Sequence, residues 1–319
     1  MAKVVVTGKI PAVALERLRA EHTVDAWEDE SPIARDELLK RVAGTDSIVS
    51  LLTEKIDAEL LDAAGKQLRS VSNVAVGYNN IDVPACRERN VLVTNTPGVL
   101  TDATADIAMA LILMSTRRLA EGERVIRAQQ PWQWGMFYML GSSIQGSQLG
   151  IVGMGQIGAA VARRARAFGM TIAYTKRSPL DAETAKELNA THMELDELLA
   201  TSDVVSLHCP YSPETHHLMN ASTIGKMKKS AYLINTARGP VVDEEALATA
   251  LQQGKIAGAG LDVFEKEPTV HQALIGLDNA VLIPHLGSAT VETRTAMANL
   301  AVTNALEVLS GKTAPNLVG

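Results

Sequence analysis

Short apolar runs bounded by Gly, Pro or Asn alternate with stretches whose apolar residues recur at helical spacing. Over the first hundred residues the runs are KVVVTG (3–8), SIVSLL (47–52), LRSVSNVAV (68–76) and VLVTNT (91–96). Their β-branched content and length predict short buried strands. Helical patterns lie between them at 11–21, 34–43 and 57–65. Such alternation predicts a parallel sheet with helices on both faces. After Pro97 and Gly98, one long helical pattern covers 102–128; its first half is apolar nearly all round, which predicts burial on several sides. Residues 129–147 lose periodicity yet hold Trp132 and Trp134, and read as an arm that packs against something.

A second alternating series starts at QLGIVGMG (148–155). It continues through TIAYT (171–175), VVSLHC (204–209), AYLINTA (231–237), GAGLDV (258–263) and AVLIPHLG (280–287). Helical patterns intervene at 156–168, 181–188, 195–200, 221–226 and 243–253, and a last helix over 290–310 has no strand after it. The expected fold is α/β, with two Rossmann-like or flavodoxin-like domains built on parallel sheets. Residues 1–98 and 289–319 would form a discontinuous substrate domain, with a dinucleotide-binding domain, 99–288, inserted into it. The crossings at 98–102 and 286–292 would be hinges beside a cleft.

Composition narrows the function. The chain of 319 residues is long enough for two domains. Hydrophobic residues make up 46% but aromatics only 3%, so the cores must be aliphatic. The 30 basic and 36 acidic residues give a net charge of −6 with no basic block, which argues against a nucleic-acid partner. Cys86 and Cys209 are too few for a disulfide scaffold or a zinc site and predict reduced thiols, with no metal. The opening MAKVVVTGKIP lacks a signal-peptide apolar stretch, and no run approaches the roughly 18 residues of a membrane span. The expectation is a cytoplasmic protein with no membrane partner.

VGMGQIG supplies Gly153, Gly155 and Gly158 as G-x-G-x-x-G between an apolar strand and an Ala-rich helix. Glycines there permit a tight turn and bring a pyrophosphate close to the helix N-terminus, where free N–H groups favour anions. The alternative is a Gly-rich packing turn. An acid that binds the adenosine ribose of NAD should close the next strand. That position is Thr175, followed by Lys176, Arg177 and Ser178. An acid would repel a 2′-phosphate, whereas this turn would attract one, so NADP(H) is preferred, with NAD(H) still possible. The alternative is a solvated turn.

Three ionisable residues follow strands of the second series: Arg238 after INTA, Glu267 in LDVFEKEP and His285 after IP. Strand carboxyl ends are where open α/β sheets bind ligands. Converging there, the three would suit reduction of a 2-keto acid. Singly, Arg238 with Glu267 reads as a structural ion pair and His285 as a loop histidine.

These segments, with VGYNNID (76–82), GVLTDATAD (98–106) and LINTARGPVVDEEAL (233–247), resemble the D-isomer-specific 2-hydroxyacid dehydrogenase family. The resemblance spans most of the chain. Within the family, LLT (51–53), PWQW (131–134) and TKRS (175–178) resemble the glyoxylate/hydroxypyruvate reductases. It implies that Arg238 holds the substrate carboxylate and keto oxygen, that His285 donates the proton and that Glu267 orients its ring. Val76 and Gly77 would bind the carboxylate through backbone N–H groups, with Leu52 and Trp134 also near the substrate. Gly153, Gly155, Gln156, Ile157 and Gly158 would hold the pyrophosphate, and Thr104 the phosphate or ribose region. His208, Cys209, Pro210 and Thr215 would line the adenine and ribose edge. Asp262 would meet the nicotinamide carboxamide, and Thr236, Ala237, His285 and Gly287 complete the cofactor set. A homodimer, joined through 102–128 and the 129–147 arm, is also implied.

The chain departs from the family at Thr175, at Asp106 (often Glu) and in TVHQALIGLDNA (269–280), which lacks the common His-Pro-Leu. His216 and His217 read as a surface turn, and Asp181, Glu183, Glu187, Asp196 and Glu197 as solvated helix faces. The expected activity is NADPH-preferring reduction of glyoxylate or hydroxypyruvate. D-lactate or another acid specificity is the alternative enzyme reading, and a dinucleotide-sensing, corepressor-like binding protein the alternative class.

Overall fold

The computed structural model describes residues 1–318. They fall into two compact units: Met1–Leu100 with the chain from Ala289 onward, and Thr101–Ser288.

The first unit carries five parallel strands, β1 (Lys3–Val6), β2 (Thr23–Ala26), β3 (Ser47–Ser50), β4 (Ser70–Asn73) and β5 (Leu92–Thr94), in the order β2-β1-β3-β4-β5. Ile48, Val71 and Val93 from these strands pack with Leu38, Leu60 and Leu61 from the crossover helices. The crossover helices start where side chains cap them: Asp57 accepts from Leu60 N–H and Asp82 from Ala85 N–H. The helix Val291–Leu309, capped by Thr290, packs against the helix Ala12–Glu21 and against β3 and β4. β2 was not foreseen. It is an edge strand paired only with β1 and has no fully buried residue, so it carries no apolar run. The short helix Val83–Glu88 was not foreseen either.

The second unit holds seven parallel strands. They are β6 (Gln148–Val152), β7 (Thr171–Thr175), β8 (Ala190–His192), β9 (Val204–Leu207), β10 (Tyr232–Asn235), β11 (Gly258–Leu261) and β12 (Ala280–Leu282). Their order is β12-β11-β10-β9-β6-β7-β8. The chain steps outward from β6 in one direction, then returns to β9 and steps the other way. The carboxyl edge between β6 and β9 is therefore a switch point, where ligands bind in such sheets. Leu149, Ile151, Leu233 and Ile234 are fully buried in this sheet. Each contributes about 1.5–3 kcal/mol by leaving water.

The single helix expected over 102–128 is two. Thr101–Thr116 packs on the sheet and on the helix Gln156–Ala167, burying Ala105, Ala108, Leu111 and Ile112 completely. Arg118 then takes a left-handed conformation, φ 54, and a second helix runs Leu119–Arg127 with no buried residue. The break has no Gly or Pro to mark it. Arg118 forks onto Glu121 through two 2.7 Å hydrogen bonds, which ties the turn to the new helix. Among the described residues no helix is long and apolar enough to cross a membrane.

Candidate active site

The second unit places its chemistry on loops that leave the carboxyl ends of parallel strands. β6 ends at Val152 and enters the glycine loop. Gly153 has φ 96, and a Cβ there would stand 2.5 Å from the Cys209 nitrogen, so both conformation and space require glycine. A Cβ on Gly158 would meet the Gly153 oxygen at 2.6 Å. Gly155 differs: nothing lies within 4 Å of its would-be Cβ. It caps the helix Gln156–Ala167, which has no acid in its first turn. The first amides of that helix, including those of Gln156, Ile157 and Gly158, have no acceptor within the helix. An exposed glycine, unpaired amides and no competing carboxylate fit a pyrophosphate.

Thr175 closes β7, and its carbonyl accepts from Gly153 N–H at 3.0 Å, tying this strand end to the glycine loop. Lys176 follows partly exposed, and Arg177 and Ser178 exposed. No carboxylate among the described residues lies within ion-pair distance of Lys176 or Arg177, though Glu214 is close enough to feel the charge of Arg177. At the end of β9, His208 bonds Ser206 Oγ through Nε2 at 2.8 Å, and Thr236 Oγ1 stands 3.5 Å from Nδ1. Burial pushes the His208 imidazole down to about 4 and the Cys209 thiol up to about 11. His208 is therefore a neutral ring at pH 7. Pro210 is exposed, and its carbonyl accepts from Thr215 Oγ1 at 2.8 Å. Thr215 spends its hydroxyl on its own turn, in a capping box with Ser212.

Beyond β10, Asn235 shapes the loop that carries Arg238. Its Oδ1 accepts from Ala237 N–H and its Nδ2 donates to Arg238 O, each at 3.0 Å. Arg238 Nη1 donates to Ala237 O at 2.7 Å. Burial lowers the guanidinium from its ordinary range, and Glu267 opposes that shift. Beyond β12, His285 stands at φ 50. Its N–H donates to Asp262 O at 2.9 Å, while the Asp262 carboxylate accepts from Gly287 N–H at 2.8 Å and from Leu286 N–H. Asp262 is 1% exposed. Burial raises its carboxyl above the ordinary range against those hydrogen bonds. Thr104, also buried, donates to Gly287 O at 3.1 Å. Asp262 and Thr104 thus hold the His285 loop, a role the sequence did not signal.

His285 Nδ1 and Glu267 Oε2 are 2.7 Å apart. Burial alone would raise the Glu267 carboxyl. The hydrogen bond and charge of His285, the Phe264 N–H and Arg238 outweigh it and hold the carboxyl below its ordinary range. Arg238, Glu267 and His285 are therefore one electrostatic group. Glu267 Oε1 also accepts from Phe264 N–H at 3.0 Å, so both its oxygens are engaged.

His216 and His217 lie in a turn at the surface, as expected, with His217 half-buried and its Nε2 3.3 Å from Glu265 Oε1. His216 stacks on it with ring centroids 4.0 Å apart. Asp106 accepts from Arg164 at 2.7 Å, joining the two helices that flank the glycine loop. Trp134 is 76% exposed in the 129–147 segment. In the first unit, the Val76 and Gly77 carbonyls accept from Asn95 Nδ2 and Asn73 Nδ2 at 2.8 and 2.9 Å. No acceptor for the Val76 or Gly77 N–H is found among the described residues. Leu52 is exposed on a loop that Glu54 braces, its carboxylate accepting from Leu51 N–H at 3.0 Å.

The chain is similar to known proteins. Residues 109–287 match the model of the D-isomer specific 2-hydroxyacid dehydrogenase NAD binding domain. A glyoxylate reductase of Thermococcus onnurineus is 48% identical over 99% of this chain and 95% of its own. A solved glyoxylate reductase from Paecilomyes thermophila superposes with a TM-score of 0.90 at 34% identity, covering 99% of this chain and 98% of that one. An NADPH-dependent glyoxylate/hydroxypyruvate reductase from Sinorhizobium meliloti, solved with NADP and malonate, gives 0.87 at 37%, covering 100% and 97%.

Proposed function

The chain belongs to the D-isomer-specific 2-hydroxyacid dehydrogenase family, and we propose that it reduces glyoxylate and hydroxypyruvate with NADPH in preference to NADH. It is an NAD(P)-dependent oxidoreductase of the keto-acid-reducing kind. The observation that carries the proposal is the His285–Glu267 pair at 2.7 Å on the strand edge that also presents Arg238.

NADPH, when bound, supplies a hydride to the carbonyl carbon of the substrate. Arg238 holds the substrate carboxylate, for which its planar fork is suited. Glu267 takes the Nδ1 side of the His285 ring, which leaves Nε2 to give its proton to the carbonyl oxygen. Hydride and proton together turn the carbonyl into the hydroxyl of a 2-hydroxy acid. Val76, Gly77, Leu52 and Trp134 are the further substrate residues of this reading. The glycine loop binds the pyrophosphate, and Lys176, Arg177 and Ser178 bind the 2′-phosphate. The exposed apolar 129–147 segment, with Phe137 87% and Met136 75% exposed, serves contact with a second copy of the chain.

Steady-state reduction of glyoxylate, hydroxypyruvate, pyruvate and larger 2-keto acids is measured with each cofactor. The unsubstituted protein is expected to favour NADPH with the two smaller acids. Lys176→Ala combined with Arg177→Ala should erode that preference by raising KM for NADPH alone. Equal use of both cofactors sinks the cofactor claim, and turnover confined to another acid sinks the substrate claim.

A further inference from the structure

One buried carboxylate takes no part in the chemistry above. Glu244 opens the helix Glu244–Gln252 and is only 5% exposed. An acid in a first turn is ordinarily solvated and favoured there by the helix dipole; this one is turned inward. A buried carboxylate is costly unless hydrogen-bonded, and its bonds go to a single turn. It accepts from the Glu265 N–H at 2.7 Å, and the backbone and charge of His271 lie close enough to favour its ionised form. Glu265 returns the contact, its Oε1 accepting from Glu244 N–H at 2.8 Å.

Residues 265 and 271 are the two stems of the turn that carries Glu267. Thr269 N–H closes it onto Lys266 O at 2.8 Å. The His271 ring adds no second tie, for its Nδ1 is buried without a hydrogen-bond partner. Against the same segment lies Gly239, whose would-be Cβ falls 1.9 Å from the Phe264 carbonyl carbon. The loops of Arg238 and Glu267 are thus pressed together, and Glu244 fastens them. The titratable groups facing Glu244 are Glu265 and His271, with His217 beyond Glu265. Burial, aided by the charge of Glu265, raises the Glu244 carboxyl above its ordinary range against the amide bonds.

We propose that Glu244 is a positioning residue for Glu267: through its reciprocal bonds with Glu265 it holds the 265 stem of the turn, beside the 271 stem, and so fixes the carboxylate that orients His285. The proposal rests on the acid–base roles of Glu267 and His285 given above.

The test compares the full chain with Glu244→Ala, Glu244→Asp, Glu244→Gln, Glu267→Gln and the Glu244→Ala/Glu267→Gln double variant. Each is assayed with glyoxylate and NADPH across pH. Glu244→Ala should lower kcat on the order of tenfold to a hundredfold, the scale expected of a displaced catalytic group. It should shift the pH profile of kcat and leave KM for NADPH unchanged. Glu244→Gln keeps an acceptor oxygen and should restore most of the rate. In the Glu267→Gln background, adding Glu244→Ala should cost little more, because both act through one contact.

Losses that multiply in the double variant overturn the proposal, and so does an unshifted profile for Glu244→Ala. Where Glu244→Ala fails to fold, Glu244→Asp replaces it. That variant keeps the charge but shortens the reach, and should show the same shift in smaller measure; an unaltered profile overturns the proposal. Glu267→Gln separates the two readings. If it leaves rate and profile intact, the acid–base reading fails and the proposal falls with it. If it alters them while Glu244 variants do not, the positioning role alone fails.

Discussion

At the scale of the residue, His285 shows how the site is held. Its φ of 50 belongs to a region that costs a non-glycine residue on the order of 1–3 kcal/mol. The backbone of Asp262 and its carboxylate, bonded to the next two amides, offset that cost. His208 gives a measurable consequence. Its folded-state value, about 4, lies below the ordinary 6.5, so the unfolded chain takes up the proton first. The sign follows: stability is intact above about pH 6.5 and is lost as pH falls toward 4. At about 1.4 kcal/mol per pH unit, the loss between pH 6.5 and 5 is roughly 2 kcal/mol. Urea unfolding at these two pH values should show it, and His208→Asn should lack that share. Glu267 acts in another window. Its lowered carboxyl contributes stability above the ordinary carboxylate range, lost only as pH falls through the folded value. The grouping of Arg238, Glu267 and His285 was legible because ionisable residues on the loops that leave apolar strands are conspicuous. Glu244 was not, since in VVDEEAL it looks like any solvated first-turn acid.

At the scale of the element, the glycine loop separates fold from ligand. Gly153→Ala puts a methyl 2.5 Å from backbone at φ 96, which should cost at least about 1–3 kcal/mol of stability and abolish cofactor binding. Gly155→Ala meets open space. Its melting temperature should match that of the unsubstituted protein while the dissociation constant for NADPH rises. Thermal melts with and without NADPH check both; equal melting temperatures for the two variants would refute the distinction. Strands buried on both faces were legible because nearly every position is apolar, as in VVSL (204–207), where Ser206 alone is polar. β2 and β8 escaped because edge strands with one neighbour keep polar faces: TVDA and ATH give no run. The helix break at Arg118 escaped because helical spacing continues on either side of it. What changes there is burial, from a packed helix to one with no buried residue, and spacing does not report burial.

At the scale of the whole molecule, the exposed apolar segment is the strongest pointer to assembly. Trp132, Trp134, Met136, Phe137 and Leu140 are each more than half exposed within nine residues, and patches of that kind mark interaction surfaces. Sedimentation at micromolar concentration should find a dimer. Phe137→Asp with Leu140→Asp should release monomers that keep their melting transition; a monomeric unsubstituted protein refutes the assembly. The division into units has a temporal consequence as well. Thr101–Ser288 is continuous, so once Ser288 has left the ribosome that unit has every residue it needs. The other unit does not: its helix Val291–Leu309 packs against β3, β4 and the helix Ala12–Glu21, elements made long before it. Domains fold as units as they emerge. Residues 1–100 must therefore wait, with an uncovered sheet face, until the helix Val291–Leu309 is delivered.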